Sequence, residues 1–148
     1  MDDRNSIITG LEVYDMIPQK PPMAMIDKII SVCETRSITA LTVCEDNIFC
    51  SNGYLQAPGL SENIAQTAAA QVGYLAHQKG EAPPVGFIGA IKNLEIINLP
   101  AVGEEIVTEI NVEHNIMNFT LINGISKVGG QVMAKCQMKI FIADKEQQ

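Results

Sequence analysis

The chain has 148 residues, enough for one domain with one hydrophobic core, and 47% of them are apolar, which excludes intrinsic disorder. A formal net charge of −7 argues against nucleic acid, whose phosphates would be repelled. No apolar run reaches bilayer length, and Met1 to Ser6 lack the basic start and apolar block of a secretory leader, so a soluble, cytoplasmic protein is expected.

In chain order, a short helix is predicted around Gly10 to Met16. "IPQKPP" then interrupts regular structure, because Pro18, Pro21 and Pro22 fix the backbone and remove donors. The segment Met23 to Cys44 is rich in β-branched residues and alternates from Ser37 onward, which predicts two strands turning near Glu34-Thr35-Arg36. Asn52-Gly53 is a strong turn dipeptide. A long helix is predicted from Ala57 to Lys79, with Pro58 in its first turn and Gly80 as its C-terminal cap. After the breaker "EAPPVG" come strands at Val85–Ile97, Glu105–His114, Asn118–Lys127 and Gln131–Ala143.

Two or three strands, one helix and four strands make an α+β domain with an antiparallel sheet. A helix that is apolar on most sides must be wrapped by that sheet. Ala65, Ala68, Ala69, Ala70 and Gly73 suit a close approach of sheet to helix. A sheet wrapped around one central helix is the hotdog fold, and the whole chain, 1–148, reads as a single such domain. Its uncovered sheet edge predicts a dimer or a higher oligomer.

One stretch of the helix is polar. Residues three or four apart share a helix face, so Glu62 and Gln66 stack, while Asn63 and Thr67 form the next stripe. With Ala70 in the small-residue floor beyond, this patch predicts a pocket mouth opening into a narrow apolar groove. A structural reading competes with it, since a glutamate in a first turn is stabilised by the helix dipole and amides can bond nearby backbone. The four cysteines, Cys33, Cys44, Cys50 and Cys136, have neither zinc nor redox spacing and are expected to be buried free thiols. No metal site and no cofactor is expected.

Three stretches resemble the 3-hydroxyacyl-acyl-carrier-protein dehydratases. "IPQKPPMAMIDKI" resembles their opening signature, hydrophobic-Pro-His-Arg-x-Pro followed by hydrophobics and Asp, here Asp27. "SENIAQTAA" resembles their central-helix signature, with Glu62, Ala65 and Gln66 at matching positions. "AIKNLEIINLPAVGEEI" resembles a later strand and its Pro-x-x-Gly turn. "ENIAQT" and "HQKGEAPPVGFIGA" further resemble the branch associated with aryl polyene and flexirubin pigments.

The resemblance implies dehydration of 3-hydroxyacyl thioesters on an acyl carrier protein. Glu62 would be the acid/base and Asn63 would orient substrate or water. The amides of Ala57 and Gly59 at the helix start would polarise the thioester carbonyl. Gln66, Thr67 and Ala70 would line the site.

The sequence also departs from the family. The pre-helix loop "NIFCSNGYLQAPG" lacks the catalytic histidine, and Gln19 replaces the histidine of the opening signature. His77 lies about 20 Å from Glu62 along the helix, at 1.5 Å per residue. His114 reads as a surface residue. Three functions therefore remain open: a dehydratase, a thioesterase of the same fold, or a non-catalytic acyl-binding subunit paired with an active homologue. The carrier protein is acidic, which makes Lys20, Lys28, Arg36, Lys79 and Lys92 candidates for a basic patch at the pocket mouth.

Overall fold

The computed structural model describes residues 8–142. The expected Ala143 end of the last strand, and the opening residues read for a leader, lie outside that span. After β1 (Ile8–Thr9) comes a 3₁₀ helix at Gly10–Asp15, then β2 (Lys28–Val32) and β3 (Arg36–Thr42). A two-residue hairpin, β4 (Cys50–Ser51) and β5 (Tyr54–Leu55), precedes the helix α1 (Ala57–Gln78). The chain then runs through β6 (Gly86–Ile96), β7 (Glu105–Ile116), β8 (Phe119–Val128) and β9 (Gln131–Ile142).

The local chemistry explains these boundaries. Asn52 and Gly53 take φ of 55° and 85°, the left-handed pair that a two-residue hairpin needs. Gly80 ends the helix at φ 69°, where a side chain would be strained. β7 runs two residues past the expected His114, because Asn115 and Ile116 pair with Thr120 and Phe119 and the turn falls at Met117-Asn118.

Seven strands form one antiparallel sheet in the order β1-β2-β3-β7-β8-β9-β6. The strand that follows the helix therefore crosses to the far edge and pairs only with β9. Leu60, Ile64 and Ala68 of α1 pack with Leu41, Ile106, Ile110, Ile122 and Met138 of the sheet. Gly124 lets the helix in: a Cβ there would stand 2.4 Å from Ile64 Cγ2. The other side of α1 is covered by the chain's opening segment, where Ala70 packs with Val13, Met16, Ile17, Ile26 and Ile29. Gly73 belongs to this second contact, because a Cβ at Gly73 would lie 1.8 Å from the Met16 carbonyl oxygen.

The expectation that these small residues all admit the sheet is thus corrected. Part of the stripe admits the Met16 segment instead.

Candidate active site

Asn63, Gln66 and Thr67 are fully buried. Asn63 Nδ2 donates to Met25 O at 2.8 Å, and Asn63 Oδ1 accepts from the Thr108 hydroxyl. Gln66 Oε1 accepts from the Met25 amide, and Gln66 Nε2 donates to Met23 O and to Glu62 Oε1, both at 2.9 Å. Thr67 Oγ1 donates to Asn63 O at 2.8 Å and lies 2.7 Å from the Thr39 hydroxyl, while Ser37 Oγ donates to Thr67 O at 3.0 Å. These bonds tie α1 to the Met23–Met25 segment and to β3 and β7. A buried polar network holds its elements in one register only when its members are satisfied, as here.

The site expectation changes accordingly. Asn63, Gln66 and Thr67 do not line a pocket mouth, because their polar atoms are spent within the chain. Gly59 is buried against Leu55 and Phe49, and its amide donates to Gln56 O at 2.9 Å. It is therefore not presented to a ligand. Ala70 faces the opening segment. Ala57 remains a partly exposed residue at the helix start. Glu62 is the member of the cluster left partly exposed, with its carboxylate held by Gln66.

By helical spacing, Glu62 heads a stripe that continues through Ala65 and Ala69. Those two alanines line a hollow of about 100 Å³, bounded by Met16, Gln19, Phe87 and Ile88. A second hollow of about 340 Å³ lies under the C-terminal half of α1, against Val112, Ile122 and Ile140. The two share Ala68, Val72, Pro84, Ile140 and Ile142 as walls. The two hollows adjoin along one side of α1, the smaller toward β9 and β6 and the larger reaching under β7 and β8. An apolar hollow lies beside Ala65, Ala68, Ala69 and Val72, one helical turn from Glu62, which is not among its lining residues; of the expected floor, Ala69 and Gly73 line it and Ala70 does not. The sequence reading missed Gln19 as a lining residue, although its place in the opening signature was a signal.

Of the basic candidates, Lys79 lines the larger hollow. Lys20 Nζ donates to Tyr14 O and, at 2.9 Å, to Ile17 O, while Lys28 pairs with Glu105 at 2.8 Å. His77 and His114 are exposed. Asp27 of the opening signature accepts the Thr42 amide on Oδ2 at 2.9 Å and leaves Oδ1 buried without a partner. Desolvation pushes its carboxyl above the usual range, against the Thr42 bond and the nearby Lys28. Only Cys136 is buried among the cysteines, all of which are free thiols; burial pushes its thiol up to about 11. Among the described residues there is no cluster of histidine, cysteine and carboxylate side chains fit to hold a metal ion, and no helix long and apolar enough to cross a membrane.

A seven-stranded antiparallel sheet wrapped around one central helix, with an apolar groove beside that helix, is a hotdog domain. The chain belongs to the ApeP-like family, whose model, described as ApeP dehydratase, matches residues 11–148, and it is a dehydratase-like lyase. In sequence it is similar to the 3-hydroxyacyl-[acyl-carrier-protein] dehydratase FabZ of Anaeromyxobacter dehalogenans strain 2CP-C, 22% identical over 97% of this chain and 96% of the relative. In structure it is similar to the dehydratase heterocomplex ApeI:P from Xenorhabdus doucetiae. That likeness has a TM-score of 0.82 at 18% identity, covering 90% of this chain and 92% of that one. It is also similar to a hypothetical thioesterase with coenzyme A from Streptococcus pneumoniae TIGR4, with a TM-score of 0.65 at 10% identity, over 78% of this chain and 84% of that one.

Proposed function

We propose that this chain, as one hotdog domain, dehydrates 3-hydroxyacyl thioesters presented by an acyl carrier protein. The observation that carries this reading is Glu62: a partly exposed carboxylate, held by a buried amide, on the same helix stripe as Ala65 and Ala69, which line an apolar hollow. In the reaction Glu62 takes the α proton, whose acidity the thioester raises. The electron pair forms the Cα=Cβ bond as the 3-hydroxyl leaves, and the hydroxyl takes up a proton to depart as water. One carboxylate can carry that proton across a single face of the substrate.

The substrate class is supported by the FabZ relatives, which carry 3-hydroxyacyl-[acyl-carrier-protein] in their names. A second hotdog chain beside this one is supported by β6. It is an edge strand with Phe87, Ile88, Ile91, Leu94 and Ile96 all more than a third exposed. Unpaired, such an edge is an aggregation hazard. The partner is a further copy or a related chain, as in the ApeI:P heterocomplex. The free thiols support work in the reducing cytoplasm.

The test is mass spectrometry of 3-hydroxyacyl-carrier-protein substrates incubated with the purified protein in its solution assembly. Loss of one water is expected, slowed on the order of a hundredfold or more in Glu62→Gln with the fold intact. Undiminished turnover by that variant overturns the role of Glu62. Release of free acid would make the protein a thioesterase, and no change at any chain length would make it a binding subunit.

A further inference from the structure

Cys44 lies beyond the end of β3 and Cys50 opens β4, but two successive turns fold them together. The Asn47 amide donates to Cys44 O at 3.1 Å, and the Cys50 amide donates to Asn47 O at 2.9 Å. The second turn returns the Cys50 thiol to the start of the first, where Cys50 Sγ donates to Cys44 O at 3.4 Å. A carbonyl oxygen stands about 2.4 Å from its own Cα, so Cys50 Sγ lies within about 6 Å of Cys44 Cα. Cys44 is exposed, and its thiol meets Thr42 O at 3.6 Å. Its side chain is free to leave that carbonyl and turn toward the Cys50 sulfur. The turns thus supply a proximity that the spacing in the sequence does not signal.

Both sulfurs are within reach of solutes. Cys50 is partly exposed and lines an open hollow of about 440 Å³ with Glu45, Ser51, Asn52, Gly53 and Val102. Burial pushes the Cys50 thiol up, and Cys44 and Asp46 beside it add to the rise. Cys44 is therefore the sulfur that reacts first, and Cys50 the one that resolves.

We propose that Cys44 and Cys50 form a reversible dithiol–disulfide pair, closed by a small disulfide that carries no negative charge. The Cys44 thiolate attacks one sulfur of that disulfide, whose S–S bond breaks and releases one thiol, leaving Cys44 in a mixed disulfide. Cys50 gives up its proton to solvent and attacks Cys44 Sγ, and the second small thiol leaves. Two protein thiols are oxidised and one small disulfide is reduced to two thiols, which take up the two protons. Glu45 and Asp46 set the charge requirement, because a negatively charged disulfide is repelled as it enters. The closed bond ties the end of β3 to the hairpin before α1. Between them, Phe49 packs against Gly59 and its carbonyl accepts the Gln56 amide at 2.9 Å, so oxidation fastens the start of the helix. This pairing is independent of the substrate reading above.

The test treats the whole chain in its solution assembly with cystamine, a cationic disulfide, followed by acid quench, alkylation and tryptic mass mapping. No lysine or arginine lies between Arg36 and Lys79, so the peptide Ser37 to Lys79 holds both sulfurs, while Cys33 and Cys136 fall on other peptides. That peptide is expected to lose the mass of two hydrogens and both alkylation sites, and dithiothreitol should restore them. In Cys50→Ser, Cys44 should instead retain the small thiol as a mixed disulfide. Glutathione disulfide, which is anionic, should react on the order of threefold more slowly at low salt, with the gap closing as salt is added. The oxidised protein should melt on the order of 5 °C above the reduced one, as expected for a short closed loop. Separate adducts on Cys44 and Cys50 in the parent protein, or a link to Cys33 or Cys136, overturn the pairing. A linked form that melts below the reduced protein overturns it as a feature of the native fold, and equal rates with the two disulfides overturn the charge selection.

Discussion

Ile106 and Ile88 face the same side of one sheet, yet Ile106 is fully buried and Ile88 is 41% exposed. The half made of β3, β7 and β8 lies under α1, and its inward residues Ile106, Ile110 and Ile122 are sealed. β9 is still sealed at Ala134 and Met138, and only the edge strand β6 extends past the helix. There Ile88, Ile91 and Ile96 pair in register with Ile140, Met138 and Ala134 but keep a third or more of their surface in water. Hydrophobicity does not separate the two halves, and helix position does. The covered half holds the fold together. The open side carries an unpaired edge with exposed apolar side chains.

The covered side is the more sensitive to substitution. Asn63→Ala leaves Met25 O and the Thr108 hydroxyl without their partner in a fully buried site. A loss of roughly 2–4 kcal/mol in urea unfolding is expected, counting about 1–3 kcal/mol per orphaned group. A smaller loss would mean that the network is less closed than its geometry indicates. Gly124→Ala drives a methyl group into Ile64, which has little room to move, and should cost about 1–3 kcal/mol by the same measurement.

On the open side, Ile91→Ser should change the stability of the isolated chain by no more than about 0.5 kcal/mol. It should nevertheless weaken assembly, read by light scattering or sedimentation. A large loss of stability in a protein already shown to be monomeric would place Ile91 in the core after all.

The smallest effect is expected at Asp27, on the rim of the covered half. Its carboxyl is raised above the usual range, so the folded state holds the proton more tightly than the unfolded chain does. That contribution to stability is present below the ordinary carboxylate range and is lost as pH rises through the raised value. Asp27→Asn should therefore gain melting temperature relative to the parent at neutral pH, and the gain should vanish below about pH 4. A gain independent of pH would assign the effect to something other than ionisation.

Much of the fold could be read from spacing. The helix was expected at Ala57–Lys79 and runs Ala57–Gln78; the strand expected at Val85–Ile97 runs Gly86–Ile96. These boundaries are local, set by Pro58, Gly80 and "EAPPVG". The site was less legible. Glu62, Asn63, Gln66 and Thr67 look equivalent in sequence, because helical spacing shows which residues share a face but not what lies against it. Asn63, Gln66 and Thr67 are enclosed by Met23–Met25, Thr39 and Thr108, which are distant in the chain, and only Glu62 keeps a partly open carboxylate. Gln19 stands in the sequence only as a departure from a signature, and the burial of its unpaired oxygen is a property of the packed chain.

Element order, the helix limits, the hairpin at Asn52-Gly53 and membership of a hotdog dehydratase family are legible in the residues alone. Each of these rests on local backbone preference or on short residue patterns. Which polar residues of α1 are structural, which small residues admit the sheet and which the opening segment, and which edge of the sheet stays open emerge only in the packed chain. Those outcomes depend on contacts between segments tens of residues apart, where burial and hydrogen-bond satisfaction are properties of the assembled packing and have no local signature.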